Sequence, residues 1–191
     1  MRRLTTQSLR WSILLLSLSY STTLKAATLS GVSMPDSITL NEQTLQLNGL
    51  GLREKYWIDI YVAGLYLPTK MSDGQKIIEA DVVKRVQLQF IYSDVPKEKM
   101  VETLEENIQK NPQFSNETIV SIRKCGTWMQ DFTTGDVVSF DYTPNTQTTT
   151  ININSKELGR IQGKGFMEAI FAMYVGKHPA TEALKSGLLG Q

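Results

Sequence analysis

The sequence predicts an α+β fold in which a large antiparallel sheet is covered on one face by a layer of helices. Three observations lead there. Segments with strand-type alternation cluster apart from segments with helical spacing, which favours antiparallel pairing over βαβ units. Their order is several strands, two helices, a strand meander, then two helices. The 191 residues are 41% hydrophobic and 8% aromatic, which suits one domain with its own core and is too apolar for a disordered chain.

The strands come first. Residues 32–40 hold a turn at Met34-Pro35-Asp36 before a short apolar run. Residues 43–52 alternate through Leu45 and Leu47 and end in a glycine-rich stretch. Residues 56–67 (YWIDIYVAGLYL) are aromatic and β-branched and stop at Pro68. In residues 82–92, Val86, Leu88, Phe90 and Tyr92 share one face while Arg85, Gln87 and Gln89 share the other. Helical spacing then places Met100, Val101, Leu104 and Ile108 on one face of residues 97–110. A second helix opens at Ser115 and recurs through Ile119, Ile122, Cys125 and Met129, which makes Cys125 a buried thiol. Residues 136–142 and 148–153 form a hairpin, and 156–162 a further strand. An apolar helix over 166–174 stops at Gly176, and a last one spans 180–189.

The N-terminus stands apart. Arg2, Arg3 and Arg10 precede the apolar run WSILLLSLSY, and STTLKAA follows it. That order is a secretory signal peptide, expected over residues 1–26 with cleavage near Ala26, leaving residues 27–191 as the mature domain. The run is too short for a membrane span, so no integral span is expected after cleavage, and the location is periplasmic or secreted. Removing residues 1–26 deletes four basic residues and no acidic one, so the formal charge moves from +1 to −3. A mildly acidic domain without a basic run is a poor nucleic-acid partner. With one cysteine and one histidine, Cys125 and His178, the chain forms no internal disulfide and holds no Cys-based or paired-His metal site. No cofactor motif is present; Gly163-Lys164-Gly165 falls short of a phosphate loop and reads as a helix entry.

Three segments carry a resemblance. They are Leu47-Asn-Gly-Leu-Gly-Leu-Arg53 followed by the 57–67 strand, then Gly135 to Pro144, then the stretch from Phe166 to Gly190. Together they resemble the chalcone isomerase-like family in its bacterial exported branch, over about residues 30–190. The resemblance implies an open-faced β-sandwich with a ligand cleft between sheet and helices. It implies that Arg53 points into that cleft, toward a phenolate in the isomerases or a carboxylate in fatty-acid binders. A guanidinium pairs well with an oxyanion in a partly apolar pocket. Tyr61 matches a cleft position that carries Tyr in the fatty-acid-binding branch. Strand alternation puts Trp57, Asp59, Tyr61 and Ala63 on one face, so Trp57 and Ala63 join Arg53 and Tyr61 as expected ligand-binding residues. Asp59 on that face would oppose an anion unless it pairs with Arg53 or sits beyond the sheet rim. Gly49 and Gly51 read as positions of close backbone approach.

The plant isomerases use a further Tyr on the helix after the middle strands, and residues 97–114 contain none. The expectation is therefore a non-catalytic, exported binding protein for a fatty acid or similar small amphipathic anion. A cofactor-free isomerase or intramolecular lyase acting on an enone, and an envelope scaffold without ligand, are the alternatives. No catalytic residue is assigned.

Overall fold

The structure is a computed structural model that describes residues 25–191. The expected signal peptide, apart from Lys25 and Ala26, lies outside the described residues; Ala26 opens the first strand.

The strands β3 (Ser37–Leu40), β4 (Gln43–Lys55), β5 (Ile58–Leu67), β6 (Lys84–Phe90), β7 (Val137–Thr143), β8 (Thr148–Ile153) and β9 (Lys156–Gln162) form one seven-stranded antiparallel sheet in chain order. Each strand pairs with the one before it, through hairpins at most steps, through α1 between β5 and β6, and through α2 and α3 between β6 and β7. β1 (Ala26–Leu29) and β2 (Val32–Pro35) make a separate hairpin. Among the described residues, five α-helices complete the fold: α1 (Gly74–Glu79), α2 (Lys97–Lys110), α3 (Asn116–Thr127), α4 (Lys164–Val175) and α5 (Glu182–Leu188).

Alternation decides what faces the helices. Along β6, Lys84, Val86, Leu88 and Phe90 are buried while Arg85, Gln87 and Gln89 are less so. Along β5, Tyr61, Ala63, Leu65 and Leu67 join the main core with α4 and α5. Helix α4 is apolar on almost all sides because the sheet lies on one side and α1, α3 and α5 pack around it. Cys125 is fully buried, and burial pushes its thiol pKa up to about 12, so it is an inert core group.

The opposite face is less open than the sequence implies. The β1–β2 hairpin lays Val32 and Met34 against Val62, and Tyr66 donates to the Pro35 carbonyl at 3.1 Å. Neither that hairpin nor the short helix α1 is legible as an element in the sequence.

A basic side chain is also buried in the helix-facing layer. Lys84 donates to the carbonyls of Ile77 at 2.6 Å, Ile78 at 3.1 Å and Ala80 at 2.9 Å, closing the C-terminal end of α1. Its ammonium also lies 4.7 Å from the centre of the Phe171 ring. Burial pulls its pKa down to about 7.

Candidate ligand site

The site begins with a spacing on β4. Gly49, Gly51 and Arg53 alternate along the strand and present one face to the helices. A β-carbon on Gly49 would collide with the carbonyl oxygens of Gly187 and Leu188, and one on Gly51 with that of Leu184. The glycines therefore let the backbone of α5 settle directly on the strand. Ala63 is the cross-strand partner of Gly51 and extends the same low platform. Asn48 locks the arrangement by donating to the Leu188 carbonyl at 2.7 Å and bonding both backbone groups of Met71. With α5 seated there, the α4–α5 connection reaches the end of β4, where Arg53 Nη1 donates to the Ala180 carbonyl at 3.0 Å.

Tyr61 is the cross-strand partner of Arg53, so the two side chains stand side by side on the helix face. They border a cavity of about 390 Å³ between the sheet and helices α2 and α4. Its inner wall includes Leu104, Met129, Phe140, Met173 and Tyr174, all buried. The mouth is edged by Lys55, Tyr56 and Ile58 on one side and by Tyr92, Asp94 and Lys99 on the other. The size suits a small-molecule site.

Electrostatics sharpen the inner end. Burial pushes the Tyr61 pKa up to about 12, against the pull of the Arg53 charge. Burial drives the Tyr174 pKa well above its ordinary value as well. Both phenols therefore stay neutral and can donate hydrogen bonds. Arg53 bonds only backbone carbonyls among the described residues, those of Glu54 and Ala180, and takes part in no ion pair there. The result is one permanent cation and two neutral donors at the end of an apolar space, an arrangement fit to hold an oxyanion attached to an apolar body.

Two expected members of the set are placed elsewhere. Trp57 lies on the turn between β4 and β5, 94% exposed, and does not line the cavity. The sequence starts the strand at Tyr56, but Tyr56 and Trp57 both take positive φ, 52° and 68°, and reverse the chain. Ala63 does share the face of Tyr61, but it lies in the packed core beneath α5 rather than in the cavity wall. Asp59 takes the second of its two expected places, beyond the rim of the cavity. Arg53 pairs with Tyr61 and Glu54 with Asp59, so Ile60 is an extra residue that breaks the alternation. Ile58, Ile60 and Tyr61 all line the cavity, while Asp59 is exposed outside it and makes no pair with Arg53.

Met173 is a site residue that the sequence does not single out, and Tyr174, which with Phe166, Ile170 and Phe171 reads most simply as core with a place in the cleft left open, lines the cavity too. They sit in a helix that is apolar all round, where the 3.6-residue period does not separate a cavity wall from solid core.

Comparison with known proteins agrees with this architecture. A family model described as chalcone isomerase-like matches residues 26–190. No curated protein matches the chain. Among solved structures, a fatty-acid-binding protein of Arabidopsis thaliana superposes with a TM-score of 0.69 at 16% identity, covering 86% of this chain and 96% of that one. At that identity the likeness speaks for the fold alone.

Proposed function

The chain belongs to the chalcone isomerase-like family, and from that membership and the cavity's chemistry we propose an exported binding protein for a fatty acid or similar small amphipathic anion. The observation that carries the reading is Arg53, facing an apolar cavity with no carboxylate partner among the described residues and two neutral phenols beside it. The anion's head meets Arg53, Tyr61 and Tyr174, and its tail fills the space walled by Met129, Met173, Leu104 and Phe140. Methionines suit such a wall because they adapt to tails of different shape. The name of the Arabidopsis neighbour supports the ligand class. Export rests on the N-terminal pattern Arg2, Arg3, Arg10 and the apolar run behind them.

The same donors would also suit an oxyanion formed during a reaction. Binding is preferred because the carboxylates that line the cavity, Asp94 and Glu102, belong to its outer part, and Glu102 is tied to Lys99 at 2.8 Å. Native mass spectrometry of protein taken from its own host tests the reading. A co-purifying acyl anion, and a melting temperature that rises on adding dodecanoate, are expected. Neither effect, together with turnover of a chalcone, would replace it with the enzyme reading.

A further inference from the structure

Exposed large hydrophobic side chains are not scattered over this molecule. Among the described residues they are Tyr56 at 83% exposure, Trp57 at 94%, Ile58 at 40%, Tyr92 at 36%, and Val120. All but Val120 lie around the mouth of the cavity, and Tyr56, Ile58 and Tyr92 belong to its lining. A concentrated apolar patch at a ligand entrance marks an interaction surface, whereas single exposed residues need no explanation.

The backbone beneath the patch points the same way. Among the described residues, four two-residue turns have both residues at positive φ: Ser30-Gly31, Asn41-Glu42, Tyr56-Trp57 and Asn154-Ser155. Such turns favour Asn, Asp or Gly, whose small or self-bonding side chains tolerate the left-handed region. Three of them begin with Asn or Ser; Tyr56-Trp57 places two bulky aromatics there. One rung behind, Glu54 and Asp59 oppose each other across the hairpin, a like-charge pair that weakens it. Neither choice serves the stability of the turn, and neither ring is buried by the fold.

We propose that the Tyr56-Trp57 turn is a membrane anchor that seats the cavity mouth in the headgroup zone of a lipid bilayer. Trp and Tyr carry an apolar body with a polar tip and concentrate at that depth of a bilayer. Lys55, whose ammonium lies 5.9 Å from the centre of the Tyr56 ring, stands level with the lipid phosphates. Glu54 and Asp59, on the far face, stay in water. Among the charged residues that edge the mouth, Lys55 and Lys99 are matched by Asp94 and Glu102, so the rim carries no net positive charge. The contact is thus aromatic rather than cationic, and it needs neither anionic lipid nor low salt. Its purpose rests on the acyl-anion reading, since a poorly soluble ligand would pass between bilayer and cavity without crossing water; its geometry does not.

Trp57→Gly tests it. The variant removes a side chain outside the cavity and supplies the residue this turn prefers, so folding is preserved. Both proteins carry the same N-terminal segment, so binding through that segment cancels in the comparison. With phosphatidylcholine vesicles bearing brominated acyl chains, the parent is expected to show more tryptophan quenching than the variant, and the difference belongs to Trp57 because Trp11 and Trp128 are common to both. Vesicle partitioning should fall about tenfold or more in the variant, unchanged by phosphatidylglycerol or added salt. Dodecanoate affinity in solution should be equal in the two. Equal partitioning of parent and variant, or binding that requires phosphatidylglycerol, overturns the anchor. So does retention of the Trp57 effect only in the presence of another protein. If neither protein binds dodecanoate while Trp57 is still quenched, the ligand reading fails and the anchor stands.

Discussion

The base and the tip of the β4–β5 hairpin are built from opposite choices of residue. At the base, Gly49, Gly51 and Ala63 give up side-chain volume so that α5 can lie on the sheet, and Asn48 ties that helix down. At the tip, Tyr56 and Trp57 add volume where the backbone disfavours it and where, among the described residues, neither ring is buried. Arg53 stands between the two regimes, held by the α4–α5 connection on one side and open to the cavity on the other. The contrast teaches that one strand pair can be fixed by packing at one end and committed to an external contact at the other.

The largest expected effect breaks the base. Gly51→Ala drives a β-carbon into the Leu184 carbonyl, backbone against backbone, and should cost about 3 kcal/mol as the helix is forced off the strand. Denaturant unfolding measures it; a change near zero would mean that α5 is not seated as described. Next comes Lys84, in the adjoining layer. Lys84→Met leaves the carbonyls of Ile77, Ile78 and Ala80 without their donor and should cost about 2 kcal/mol at neutral pH. The same variant carries a pH signature. The folded pKa is lowered from 10.5 to about 7, so between those values the unfolded chain holds a proton that the folded chain has released. Stability from this group therefore rises with pH across that window. Lys84→Met should flatten the rise, which pH-dependent melting would reveal. The smallest effect, with the opposite sign, is at the tip. Trp57→Gly should raise stability by about 1 kcal/mol by relieving the left-handed residue. A loss of stability instead would show that the ring is packed, and the contrast between base and tip would disappear.

Much of the base is legible in the sequence. Spaced glycines ahead of an arginine read as close approach, and the alternation of β6 assigns its two faces correctly, because both depend on local pattern. The helical spacing around Cys125 places it in the core for the same reason. The tip is not legible, because Tyr56-Trp57 are strong strand formers in a turn without Gly, Asn or Pro. The turn takes Trp57 out of the strand, and the extra residue at Ile60 shifts the alternation and puts Asp59 off the face of Tyr61. Ala63 falls on the correct face but too close to the ligand, since pattern gives the face of a strand and not how far a helix extends over it. The β1–β2 hairpin is hidden by its position, as Ala26–Leu29 adjoins the segment read as a signal peptide. Helix α1 has six residues, too few for a period to show.

In the proposed function Arg53 holds the head of an amphipathic anion inside this cavity, and calorimetric titration of dodecanoate into the parent and into Arg53→Met measures that contact. The substitution keeps an apolar side chain of similar length and removes the charge-assisted hydrogen bonds. Affinity should fall by a factor of about 10 to 100, the weight of hydrogen bonds to a charged group, while stability falls by about 1 kcal/mol as the Ala180 carbonyl loses its donor. Equal affinity in the two proteins, or no binding to either, would contradict it.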